Sequence, residues 1–244
     1  MDVAILTVGD EVLAGDTTNT NANWIADRVT SRGAGVSRIL TIPDDASIIR
    51  SAIEDWRGSH DAIVVTGGLG GTHDDVTVAG VAAAYDRPTV VQRRVREHVL
   101  ETLAAYRDEH PETVSANDFD LDVDAWAALP EGSRAVLNPV GLSPGFVLDD
   151  VYAFPGVPEE MRATFDVVAE EFDGETVSQD LYTPLPEAAL IDPIASVRDR
   201  FDVSIGSYPA TTAANRVTVT GDDENTVSAA LEYLEATVDT VDPS

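Results

Sequence analysis

Along this chain, short apolar runs rich in Val and Ile alternate with stretches whose apolar residues recur every three or four positions. No other feature constrains the fold as much. Runs of continuous apolar residues must be covered on both faces, and amphipathic helices between them supply the cover, which is the pattern of a parallel sheet flanked by helices. DVAILTV (2–8), GVSRILTIP (35–43) and DAIVVT (61–66) read as the first three strands. Between them lie a helix from Thr20 to Arg32, with Asn19 or Thr20 as its cap, and another led in by Asp44 and Asp45 and running through Trp56. DVTVAGVAAAY (75–85) reads as a small-faced helix packed closely on the sheet, and residues 93–110 as a long amphipathic one. The acidic stretch PETVSANDFDLDVD has no period and reads as a loop. RAVLNP, GFVLDD and VYAFPG are strand-like, the last two close enough for a hairpin, and Pro158 and Glu159 open a helix to about Phe172. After DGETVSQ the pattern restarts as strand, helix, strand, strand, helix, so two domains are expected, 1–172 and a small α+β domain at 173–244.

The charge balance narrows the partners. Asp and Glu number 44 against 15 basic residues, all of them arginine, for a formal charge of −29. With no basic stripe to displace counterions, nucleic acid and anionic membrane are excluded as general partners. Near 1 M salt the Debye length falls to about 3 Å, which screens such self-repulsion, so a halophilic, salt-loaded cytoplasm is expected. The absence of cysteine removes disulfide and thiolate chemistry. MDVAILTVGDEV lacks a basic leader region, and no later run approaches the roughly 20 apolar residues of a membrane span, so a cytoplasmic chain is expected.

Three loops carry chemistry-bearing residues. TGGLGGTHDD follows the third strand and precedes a helix; its glycines allow close approach to the backbone, and free amides at a helix start attract anions. Asp74 and Asp75 would repel a phosphate there unless a divalent cation bridges them or the acid is protonated, so the motif reads as phosphate plus metal, or equally as a structural turn with Asp as cap. The lysine of the nucleotide P-loop is absent. GDEVLAGDTTNTN follows the first strand and IPDD the second; in an open parallel sheet these loops face one crevice, bringing Asp10, Glu11, Asn19 and Asp44 toward Asp74 and Asp75. His60, His73, His98 and His110 lack metal-ligand spacing, and His98 reads as solvated surface. Ser143 in GLSPG lacks a nucleophile elbow, which argues against a serine hydrolase.

Taken in order, GDEVLAGDTTNTN, IPDD, TGGLGGTHDDVT, NPVGLSPGF and FPGVPEEM resemble the molybdopterin-binding MoaB/Mog-type domain, most closely as it stands at the N-terminus of CinA-type, competence/damage-inducible proteins. The match covers about residues 1–170, and the segment with IGSYP and NRVTVTGDDEN looks like the small module that follows in those proteins. No segment of these 244 residues resembles the amidohydrolase domain of bacterial relatives, so nicotinamide mononucleotide deamidation is not expected. The resemblance implies a three-layer α/β/α domain in a dimer or trimer. It implies one of three functions: Mg²⁺-dependent, K⁺-assisted hydrolysis of an adenylyl pyrophosphate such as ADP-ribose; binding or adenylylation of molybdopterin in molybdenum cofactor biosynthesis; or a non-catalytic nucleotide- or pterin-binding module.

By motif position, Asp44 and Asp75 are the implied catalytic residues, and these two with Asp74 the implied metal ligands. Implied ligand contacts are Gly9, Asp10, Glu11, Asn19 and Asn21 in the first loop and Thr66, Gly67, Gly68, Gly70 and Thr72 in the glycine-rich one. Ser143, Pro144, Gly145, Pro155, Gly156 and Pro158 complete the set. Where the family usually has proline after the third glycine this chain has Gly71, which predicts a less rigid loop.

Overall fold

The computed structural model describes residues 1–72, 74–109, 121–209 and 214–242, which divide into two compact units, Met1–Thr30 with Gly35–Phe172, and Ser31–Ala34 with Asp173–Ser244. In the first unit, strands β1 (Asp2–Val8), β2 (Gly35–Ile42) and β3 (Ala62–Thr66) are joined by β6 (Arg134–Val136), β7 (Gly145–Leu148) and β8 (Val151–Phe154) in a six-stranded sheet of order β2-β1-β3-β8-β7-β6. β2, β1, β3 and β8 run parallel, while β7 and β6 each pair antiparallel with their neighbour, so the sheet is mixed. The expected hairpin is β7–β8. β4 (Thr89–Val91) and β5 (Ala128–Pro130) form a small separate ladder that the local pattern does not announce.

Alternation along β1 divides the core. Ala4, Leu6 and Val8 join a cluster with Ile49, Ile53 and Trp56 of α3 (Ala46–Trp56), Val81 and Ala84 of α4 (Thr77–Ala84), and Val95, Val99 and Leu103 of α5 (Arg93–Glu109). Pleating sends Val3 and Ile5, fully buried, to the other face. Buried side chains beyond that cluster include Ile25 and Val29 of α2 (Thr20–Ser31) and Met161, Phe165 and Val168 of α7 (Pro158–Val168). Phe165 stacks on Phe172 at 5.0 Å and meets Phe154 at 5.6 Å. Burying each such ring contributes about 1.5–3 kcal/mol.

Local signals set the helix starts. Asp45 caps α3 by accepting from the N–H groups of Ser47 (2.8 Å) and Ile48 (3.2 Å), and the Ser47 hydroxyl bond is the main cause that holds its carboxyl below the usual range. Asn19 starts α2 by accepting from the Ala22 N–H. The first loop also winds a short helix, α1 (Asp10–Leu13). The acidic stretch read as a loop falls outside the described residues at 111–120, and its described end is a helical turn, α6 (Val123–Trp126), capped by Asp122. His73 and His110 also lie outside the described residues. His98 departs from the solvated reading: it is half-buried, and its Nε2 is a buried atom without a hydrogen-bond partner among the described residues.

In the second unit β9 (Val177–Thr183), β11 (Asn215–Gly221) and β10 (Ser204–Tyr208) form an antiparallel sheet of order β10-β11-β9. Helices α8 (Glu187–Arg200) and α9 (Glu224–Glu235) cover it through Leu190, Val197, Val227, Ala230 and Leu234. Among the described residues no helix is long and apolar enough to cross a membrane.

Candidate functional site

Because β2, β1, β3 and β8 run parallel, the loops that leave them lie along one edge of the sheet. There they enclose a cavity of about 230 Å³. Thr7, Val8, Gly9, Glu11 and Val12, then Thr17–Asn21, line it from the first loop; Asp44 comes from the second, Thr66, Gly67, Gly68, Asp74 and Asp75 from the third, and Gly156 and Pro158 from the loop after β8. The three loops singled out from sequence thus converge.

The glycine turn is shaped by contact with its neighbour strand. Gly67 has φ +105°, and a Cβ there would overlap the Val8 carbonyl oxygen; Gly68 has φ +63° with Thr77 Oγ1 only 2.5 Å from where its Cβ would stand. Both positions require glycine. Thr77 ties the turn to α4, its hydroxyl donating to Gly67 O (2.8 Å) and its N–H to Gly68 O (3.1 Å).

The polar side chains of the cavity are held in place. Asn19 donates to Thr7 Oγ1 (3.0 Å) and Thr41 Oγ1 (3.3 Å). Asn21 donates to Gly156 O (2.7 Å) and Thr66 Oγ1 (3.1 Å), while the Thr66 hydroxyl donates to Pro155 O (2.9 Å). Gly156 O is only an acceptor, so the Asn21 amide is fixed with its oxygen turned away. That oxygen is buried and has no partner among the described residues, although the residue is only 8% exposed. Buried acceptors of this kind call for a partner from outside the protein.

The carboxylates differ in their support. Asp44 Oδ2 accepts from the Asp10 N–H at 2.8 Å, and Asp75 Oδ2 from the Thr72 N–H at 2.9 Å and from the Thr72 hydroxyl. Asp44, Asp74 and Asp75 line one cavity, but among the described residues no three His, Asp or Glu side chains gather closely enough to hold a metal ion alone. Mg²⁺ commonly binds through one or two carboxylates, several waters and phosphate oxygens, with no all-protein cage. The donor set therefore fits a cation that arrives with a polyphosphate.

Several residues expected as contacts are not in the lining. Asp10 contributes its N–H to Asp44, Thr72 and Gly70 pack on the Asp75 carboxylate, and Pro155 supports Thr66 from behind. Ser143, Pro144 and Gly145 do not reach the cavity. Their loop leads into β7, one strand beyond β8, and its polar groups are consumed internally. Asn138 donates to Ser143 O (3.0 Å) and Glu160 Oε2 (2.6 Å) and accepts from the N–H groups of Val140 and Gly141. Burial pushes the half-buried Glu160 carboxyl up, against the lowering effect of its Asn138 bond. Gly71 packs against the Trp126 indole, which leaves no room for a Cβ. Thr7, near the end of β1, and Thr17, Thr18 and Thr20 were not among the expected contacts; the only signal of the last three is a hydroxyl-rich string leading into α2.

Comparison with known proteins agrees with this architecture. Residues 4–173 match the family described as "Probable molybdopterin binding domain", and residues 175–241 match that of "FAD synthase, middle domain". A protein of Archaeoglobus fulgidus is 38% identical over 237 residues, covering 96% of this chain and 97% of the relative. A CinA-like protein of Citrifermentans bemidjiense is 39% identical over 180 residues, covering 71% of this chain and 41% of that longer protein. The crystal structure of CinA from Thermoplasma acidophilum, a protein of unknown function, superposes with a TM-score of 0.60 at 29% identity, covering 70% of this chain and 99% of that one. This chain is therefore a CinA-like member of the molybdopterin-binding, MoaB/Mog-type domain family.

Proposed function

We propose that the cavity is the active site of a Mg²⁺-dependent pyrophosphatase acting on an adenylyl pyrophosphate such as ADP-ribose. One observation carries this reading: Glu11, Asp44, Asp74 and Asp75 line the cavity beside a glycine turn, and no arginine is among the lining residues. A polyphosphate enters such a place only with a divalent cation. Asp44, Asp74 and Asp75 would hold Mg²⁺ together with the ligand, and the ion would neutralise charge on the phosphoryl oxygens in the transition state. The other contributions come from the chain. The bare backbone at Gly67 and Gly68 admits phosphate oxygens. Asn21, with both amide protons committed, offers its oxygen to a water or a ligand hydroxyl. Thr72 steadies Asp75, which with Asp44 is available to take the proton of an attacking water.

The test uses the full chain in molar KCl with Mg²⁺, which also supplies K⁺. AMP release is measured from ADP-ribose and from FAD, the second because residues 175–241 match a FAD synthase domain. Asp75→Asn is expected to lower release by about a hundredfold or more. No release by the unaltered chain refutes the reading. A second reading, that the same cavity binds or adenylylates molybdopterin, is favoured by the family match over residues 4–173; it predicts metal-dependent molybdopterin binding without hydrolysis of either dinucleotide. A non-catalytic module predicts binding unaffected by metal. A homo-oligomer, dimer or trimer, belongs to the same proposal and is read by analytical ultracentrifugation.

A further inference from the structure

A cavity of about 230 Å³ is smaller than the roughly 300–1,000 Å³ that encloses a whole small ligand. A dinucleotide held there by its pyrophosphate must extend beyond it. Thr18, Asn19 and Thr20 form a wall of that cavity and also of a second, more open hollow of about 940 Å³ between α2 and the edge strand β2. Trp24 and Arg162 line this hollow. The half-buried Trp24 ring meets Phe165 edge-on at 5.4 Å; the Arg28 guanidinium, which is not in the lining, lies 5.5 Å from its centroid, and that of Arg162, which is, lies 5.7 Å away. In a chain whose acids outnumber its arginines 44 to 15, Arg162 forms no ion pair among the described residues. Two arginines, Arg162 and Arg38, and a half-buried indole thus line the hollow together with one acid, Asp27, beside an acid-lined cavity that has neither cation nor aromatic ring in its lining.

We propose that this hollow is a ring subsite. It takes a planar heteroaromatic ring rich in hydrogen-bond acceptors, a purine or a pterin, on the ligand whose phosphate end occupies the neighbouring cavity. The proposal rests on the cavity being the phosphate site. Guanidinium and indole planes both stack on such rings, and the five guanidinium N–H donors match ring nitrogen and carbonyl acceptors.

Tryptophan fluorescence of the full chain in molar KCl is titrated with adenosine and, separately, with neopterin, both free of phosphate. Saturable quenching by at least one ring is expected, and the tighter of the two identifies the source. Arg162→Gln is expected to weaken it about tenfold, and Trp24→Leu to abolish it. Because Trp24 packs on Phe165, Arg162→Gln serves as the variant that leaves the core intact. No quenching by either ring, or quenching that survives both substitutions, overturns the subsite; so does a change of oligomeric state in Arg162→Gln that accounts for the loss. Ring binding without AMP release overturns the pyrophosphatase reading and leaves the subsite standing. AMP release whose KM ignores both substitutions does the reverse.

Discussion

Replacing Gly67 by alanine tests whether the site is held by the packing of one strand end on the next. At φ +105° an L-residue lies outside even the left-handed helical region, a cost of about 1–3 kcal/mol. The added Cβ would also overlap the Val8 carbonyl oxygen, which cannot retreat: Val8 ends β1, an interior strand, in register with Ile42, and the adjacent Gly9 N–H bonds Ile42 O at 3.1 Å. Forcing a methyl into such a contact adds about 1–3 kcal/mol. The sum is about 2–6 kcal/mol, or a fall in melting temperature of roughly 5–20 °C for a unit of this size. Gly15 provides the control. Its φ is +79° with nothing within 4 Å of where a Cβ would stand, so Gly15→Ala bears the backbone cost alone, about 1–2 kcal/mol. Thermal unfolding of both variants in the same molar KCl buffer, followed by circular dichroism, reads the difference. Equal destabilisation of the two would refute the argument that close approach to β1 shapes the turn.

Glu160 provides a test by pH. Burial raises its carboxyl above the usual 4.5, so the folded chain keeps this proton at pH values where the unfolded chain has lost it. Its stabilising contribution is full below the unfolded pKa and is lost as pH rises through the folded one. Glu160→Gln, which retains an acceptor for Asn138, should therefore gain stability relative to the parent between about pH 4 and pH 7; an equal difference at both ends refutes the assignment. With a charge of −29, the melting temperature should climb as KCl rises from about 0.1 M to 1 M and the Debye length shrinks from about 10 Å to 3 Å; full stability at low salt without a divalent ion would remove the proposal of a halophilic chain.

Features whose cause lies within a few residues were legible in the sequence. Alternating strand and helix patterns announced β1, β2, β3 and the helices between them, because a period of two or of 3.6 is a local requirement for burying one face. Asn19 was legible as a cap, and the start of α3 was legible to the pair Asp44 and Asp45, because a short polar side chain reaches the amides two or three residues on; the structure gives the cap to Asp45 and leaves Asp44 to the Asp10 N–H. The rule that ligands lie beyond the carboxyl ends of parallel strands was enough to draw the first three loops together. The β4–β5 ladder was not legible, since its strands are short and lie far apart in the chain. The structure also removed Ser143, Pro144 and Gly145 from the cavity, as the turn of β7 against β8 sets their loop aside and Asn138 closes it on itself. It also set Gly71 against the Trp126 indole, a packing that the local sequence does not announce.

By itself, then, the sequence determined the sheet-and-helix alternation, the capped helix starts and the glycine turn with its acids, each a short-range consequence of side-chain type. Only the tertiary structure decided that Gly67 meets Val8, that Asn21 spends both amide protons on Thr66 and Gly156 and leaves an acceptor unmet among the described residues, and that Trp24 and Arg162 share a hollow beside the cavity. These contacts join residues tens to more than a hundred positions apart, and strand order alone brings them together.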